Sequence, residues 1–147
     1  MENREQQLEH FFDQYASRFN KALHGEQTDI EGTASAFSEH FIEASPLGVH
    51  CGKNDQEFRT AIPKGYAFYQ SIGITFMDML SKEITILDHY HSMVNVHWRA
   101  NFNRKDNSTG KIEFEVIYFL QSRENTHKIF AYITGDEQAV LKEDGLI

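Results

Sequence analysis

The chain has 147 residues, 40% of them hydrophobic and 13% aromatic, with a formal net charge of -8. That length predicts one domain over 1–147 built around a single core, and the acidic balance, with no Lys or Arg cluster to offset it, argues against nucleic acid as a partner. No apolar run approaches the ~20 residues that cross a bilayer, the polar start from Met1 to Glu9 argues against a secretory signal, and the lone Cys51 excludes an internal disulfide, so the expected setting is cytoplasmic.

The first helix is the clearest element. Leu8, Phe11, Phe12, Tyr15, Phe19, Ala22 and Leu23 follow the three-four spacing of one helical face. Gly25 is its expected stop. Thr28 with Glu31 three residues later has the capping-box pattern of a second start. Ile30, Ala34, Phe37 and Phe41 then read as the buried stripe of a second helix. Pro46 and Gly48 turn the chain, and a short hairpin from Glu43 to Gly52 is expected. A third helical region runs from about Asn54 to Ser71, kinked or split at Pro63. Strands are predicted over Ile74 to His89 (with a break near Ser81), Tyr90 to Asn103, Gly110 to Arg123 and Thr126 to Asp136. Glu137 to Gly145 reads as a terminal helical turn. No internal repeat or low-complexity stretch divides the chain.

Two of these strands alternate cleanly. Val94, Val96, Trp98, Ala100 and Phe102 share one face; Ile112, Phe114, Val116, Tyr118 and Leu120 share another. The polar segment Asn103 to Gly110 joins them into an antiparallel hairpin. An even register, roughly 101 opposite 113, matches the apolar faces and sets Arg99 opposite Glu115 and His97 opposite Ile117. Helices followed by a curved sheet predict an α+β cone with a pocket between its layers. Ile117 and Phe119 fall on the face that the helices leave uncovered, which suggests a partner.

Several segments resemble the nuclear transport factor 2-like superfamily, with its ketosteroid isomerases and SnoaL-like cyclases. They are Tyr15 ten positions before Gly25, the turn Glu43-Ala44-Ser45-Pro46-Leu47-Gly48, the run Gly65-Tyr66-Ala67-Phe68-Tyr69 with Gly73-Ile74, the strand Val94-Asn95-Val96-His97-Trp98, and the closing strand Lys128-Ile129-Phe130-Ala131-Tyr132. The resemblance covers nearly the whole chain. It implies a cystatin-like cone with a mainly antiparallel sheet, a pocket between sheet and helices, and homodimers packed through the sheet, here through Ile117 and Phe119. It does not select a reaction. Isomerase chemistry needs a carboxylate base and a donor pair for the enolate oxygen. Tyr15 resembles the family's tyrosine donor. The base position reads as Ser45, before Pro46, and the apolar face around Val116 carries no acid. Steroid isomerisation is therefore not expected.

Other constellations are weaker. His89, His91 and His97 read as solvent-facing rather than as a metal site. His50 and Cys51 point to opposite faces of a strand, and Cys51 reads as a small buried side chain. No nucleotide or phosphate loop and no zinc-protease helix is present, so neither cofactor nor metal is expected. The expected pocket residues are Tyr15, Phe19, Phe37, Ser45, Tyr66, Tyr69, Trp98, Phe114 and Tyr118. Their aromatic character predicts a small apolar or aromatic ligand, with isomerase, cyclase or hydrolase chemistry as its enzymatic extension. The alternative is a dimeric interaction module whose cavity is filled by its own side chains. An open cavity beside Trp98 separates the two.

Overall fold

The computed structural model describes residues 2–147. Helix α1 (Arg4–Leu23) opens on a reciprocal cap, in which Asn3 accepts from the Gln6 amide and the Gln6 side chain accepts from Asn3. It ends at His24, and Gly25 follows at φ 84°. Helix α2 is a short piece, Ile30–Ser35, capped by Asp29 accepting from Gly32. Thr28 is not the cap. Glu31 is drawn off to Arg59 at 2.8 Å instead of closing a capping box. Phe37 and Phe41 are not helical either. They open strand β1 (Phe37–Ser45), where both rings are buried. Four-residue spacing preserves a strand face as well as a helical one, so the stripe carries no helix signal of its own there.

β1 turns at Pro46 and Leu47 into β2 (Gly48–Lys53), with Glu43 opposite His50. Helix α3 (Gln56–Ser71) runs unbroken through Pro63. Both of its ends are tied down, which offsets the missing backbone donor. Asp55 caps the start, Arg59 bridges Glu31 and Asn54, and the Gln70 amide donates to the Ala22 and Leu23 carbonyls at the end of α1.

The long strands follow: β3 (Ile74–Ile86), β4 (His91–Asn103), β5 (Thr109–Arg123) and β6 (Thr126–Ile133), then helix α4 (Glu137–Glu143). They form one six-stranded sheet in the order β2-β1-β6-β5-β4-β3, antiparallel throughout except for the β1–β6 pair. The fold is thus α+β, as expected, with helices packed on a mixed sheet. β3 is not broken at Ser81 but runs continuously, with its register shifting between Ile74 and Phe76 and again between Met79 and Ser81. Asn20 of α1 both donates to and accepts from the Met77 backbone, at 2.9 and 2.8 Å, and so covers the outer edge of β3.

The β4–β5 hairpin keeps the expected faces but is displaced by two residues. Asn101 pairs with Lys111, Trp98 with Phe114, His97 with Glu115 and Arg99 with Glu113. The loop is tighter than anticipated: Asn103 already pairs with Thr109, and Arg104 N–H donates to the Ser108 carbonyl at 2.7 Å. A two-residue step leaves every side chain on its face, so hydrophobic pattern alone cannot detect it. Arg99 turns to Asp78 of β3 at 3.1 Å rather than to Glu115. The hydrogen bond from Asn101, followed by that from Arg99, holds the Asp78 carboxyl below the usual range.

The core lies between the helices and the inner sheet face. Leu8, Phe12, Val94, Val96, Leu120 and Ile129 have no exposed surface. On the outer face, Ile117 and Phe119 are half-buried, as their alternation implies. Pairing aligns Cys51, Ile42, Ala131, Phe119 and Met93 into one row across five strands. Cys51 is exposed in that row, not buried, because an edge strand places it outside the helical layer.

Candidate functional site

A cavity of about 250 Å³ opens between the inner sheet face and helices α1, α3 and α4. Tyr15 and Phe19 reach it from α1, Phe37 from β1, Tyr69 from α3, Trp98 from β4, and Phe114 and Tyr118 from β5. Seven of the nine expected pocket residues are thereby brought together. Tyr66 stands behind the wall, edge-on to Phe19 with ring centroids 4.9 Å apart. Ser45 lies in the β1–β2 turn, where its hydroxyl accepts from the Leu47 amide at 3.1 Å. Neither lines the cavity.

The wall also contains residues that the sequence reading passed over, among them Met77, Ile112, Tyr132, Asp136, Glu137 and Val140. Tyr132 is there because of a bulge. Leu120 pairs with Ile129 but Phe119 pairs with Ala131, so Phe130 is an extra residue that reverses the alternation of β6. Tyr132 thus joins Tyr118 on the inner face, with ring centroids 6.4 Å apart. Glu137 opens the expected terminal helical turn, while Asp136 lies beyond the end of β6 and caps α4 by accepting from the Ala139 amide at 3.0 Å. Burial of Leu141 then lays α4 beside the cavity mouth.

The polar groups are few and specific. Trp98 Nε1–H donates to the Tyr118 hydroxyl at 3.3 Å, and the Tyr15 and Tyr118 rings lie 6.0 Å apart. The Tyr69 hydroxyl donates to Glu137 Oε1, and the Tyr132 hydroxyl donates to Glu43 Oε1 at 2.5 Å. Burial pushes all four phenols above their ordinary range. The carboxylates of Glu137 and Glu43 reinforce this at Tyr69 and Tyr132, whereas the Trp98 hydrogen bond opposes it at Tyr118. At neutral pH the cavity tyrosines are therefore hydrogen-bonding phenols and not bases. The carboxylates in the wall are Asp136 and Glu137.

The histidines lie elsewhere. His91 Nδ1 meets Asp88 at 2.9 Å, His97 stands between Glu113 and Glu115 at 3.8 and 3.9 Å, and His89 packs edge-on to Tyr90. Among the described residues no group of three or more His, Cys, Asp or Glu side chains is placed to hold a metal ion. No described helix is long and apolar enough to cross a membrane.

Helices over a curved mixed sheet, with a lined cavity between the layers, define a cystatin-like cone of the nuclear transport factor 2 type. The family model described as "NTF2-like protein (DUF6841)" matches residues 4–137, and the chain belongs to that family. No curated protein matches the chain in sequence. Solved structures of similar fold include an NTF2-like protein of unknown function from Shewanella oneidensis, with 16% identity over 91% of this chain and 100% of that one, at a TM-score of 0.65. An NTF2-like protein with a cystatin-like fold from Novosphingobium aromaticivorans shares 9% identity over 97% and 88% of the two chains, at 0.67. A ketosteroid isomerase-like protein from Erwinia carotovora shares 14% over 86% and 91%, at 0.59. At these identities the likeness establishes the fold alone.

Proposed function

We propose that this protein binds a compact aromatic ligand of one or two rings inside the cone. The observation that carries this reading is the open cavity beside Trp98, whose wall contains eight aromatic side chains. An apolar cavity of about 150 Å³ holds a benzene ring, so a volume of 250 Å³ suits a somewhat larger molecule. Rings supply the contact area, and the few phenols fix orientation. An open cavity favours this over an interaction module with a filled core. Turnover of isomerase, cyclase or hydrolase type would extend the reading. Steroid isomerisation is not part of it, because Ser45 carries no carboxylate and lies outside the wall. The reading includes self-association through the outer apolar row, and a cytosolic setting suited to the exposed thiol of Cys51.

Trp98 is the only tryptophan, so one indole N–H resonance reports the cavity. Titration with naphthol is expected to shift that resonance saturably. No saturable shift with naphthol, indole or cresol would overturn the proposal.

A further inference from the structure

We infer that the ligand is a protonated amine, with its ring in the aromatic interior and its ammonium group at the rim beside Asp136 and Glu137. This rests on the cone being a ligand cavity, and deepens it.

Three features of the wall converge on that class. The first is charge. Asp136 and Glu137 line the cavity, and among the described residues no Lys, Arg or His does. A ligand carboxylate or phosphate would meet two like charges and no cation, within a chain whose net charge is already -8.

The second is the direction of the hydrogen bonds. Tyr69 and Tyr132 each donate their hydroxyl proton to a carboxylate, Glu137 and Glu43 respectively. A phenol that has spent its proton in this way has only oxygen lone pairs left for a ligand. Trp98 has likewise spent its N–H, on Tyr118. Tyr15 and Tyr118 keep their hydroxyl protons; of the other three, Tyr69 and Tyr132 offer a guest acceptors alone and Trp98 has no free donor. A guest that supplies N–H groups satisfies Tyr69 and Tyr132; one that needs donors does not. An ammonium group brings three donors and a positive charge.

The third is the aromatic wall itself. Eight ring faces and edges surround the space, Trp98 among them. The negative face of an aromatic ring attracts a cation, and indole does so best. The same wall accommodates the apolar part of the molecule, so one site serves both ends of an aromatic or cyclic amine.

The test is calorimetric titration of the full chain with three molecules that share one ring: phenethylamine, phenylethanol and phenylacetate. The amine is expected to bind about tenfold or more tighter than the alcohol, and the acetate weakest of all. Glu137→Gln keeps an oxygen for Tyr69 and removes the charge. It is expected to cut the amine-to-alcohol preference about tenfold. Alcohol binding that equals or exceeds amine binding, or a preference unchanged in Glu137→Gln, overturns the amine assignment while leaving the cavity reading in place. Binding of the alcohol also certifies that the variant is folded. Failure of all three molecules to bind the wild type overturns both.

Discussion

Removing one hydroxyl separates the two roles assigned to the cavity tyrosines. Tyr118 and Trp98 are 5% and 2% exposed, and the Trp98 N–H donates to the Tyr118 hydroxyl at 3.3 Å. Tyr118→Phe keeps the ring, so it creates no cavity in the packing. It leaves the indole N–H buried with its acceptor deleted, which costs about 1–3 kcal/mol. For a domain of this size each kcal/mol lowers the melting temperature by about 2–4 °C, so a fall of about 2–12 °C is expected. Tyr15 is only half-buried. Tyr15→Phe is therefore expected to change stability by less than about 0.5 kcal/mol while weakening naphthol binding. Urea unfolding followed by Trp98 emission measures both variants, and an unchanged denaturant slope would confirm that only stability moved. Tyr118→Phe within about 0.5 kcal/mol of wild type would refute the buried hydrogen bond. A large loss in Tyr15→Phe would make that residue a structural one.

Five of the six tyrosines have raised pKa values, chiefly through burial. Their folded-state values exceed the unfolded one, so the stability they contribute is complete below about pH 10 and is lost as pH rises beyond it. Phenolate absorbance from these five should accordingly appear together with loss of far-ultraviolet circular dichroism, and gradual ionisation of more than one phenol near pH 10 in a folded protein would contradict this. Gly110 faces Phe102 across the hairpin, and a Cβ there would stand 2.5 Å from the ring. Gly110→Val is expected to lose about 1–3 kcal/mol through overpacking, read as a lower urea midpoint; a wild-type midpoint would count against the close approach. Burying Phe119 in a sheet-to-sheet interface contributes about 1.5–3 kcal/mol. Light scattering should thus give twice the chain mass of 17.1 kDa for the wild type and a single mass, or insoluble protein, for Phe119→Glu. A monomeric wild type would remove the dimer from the proposal.

The sequence was most legible where pattern and geometry share a period. The α1 face, the alternation of β4 and β5, and the uncovered position of Ile117 and Phe119 all follow from spacing alone. It was least legible where a single residue changes the period. The Phe130 bulge turns Tyr132 inward, against the alternation of its strand. Phe37 and Phe41 fit a helix and a strand equally well, and only pairing decides between them, Phe37 with Ile129 of β6 and Phe41 with Gly52 of β2. The two-residue displacement of the β4–β5 hairpin is silent in hydrophobic pattern, because it changes partners without changing faces. Asp136 and Glu137 could be read as a helix start. Nothing local to them indicated that the helix would lie beside the cavity mouth.

The central claim is an open aromatic cavity that accepts a ring. A crystal structure of the protein soaked with naphthol tests it most directly. The account predicts density for the ring inside the cone, in contact with Tyr15, Trp98 and Tyr118. A cone closed by its own side chains, with Tyr69 and Phe114 packed across the space and no density for the added ring, would contradict it.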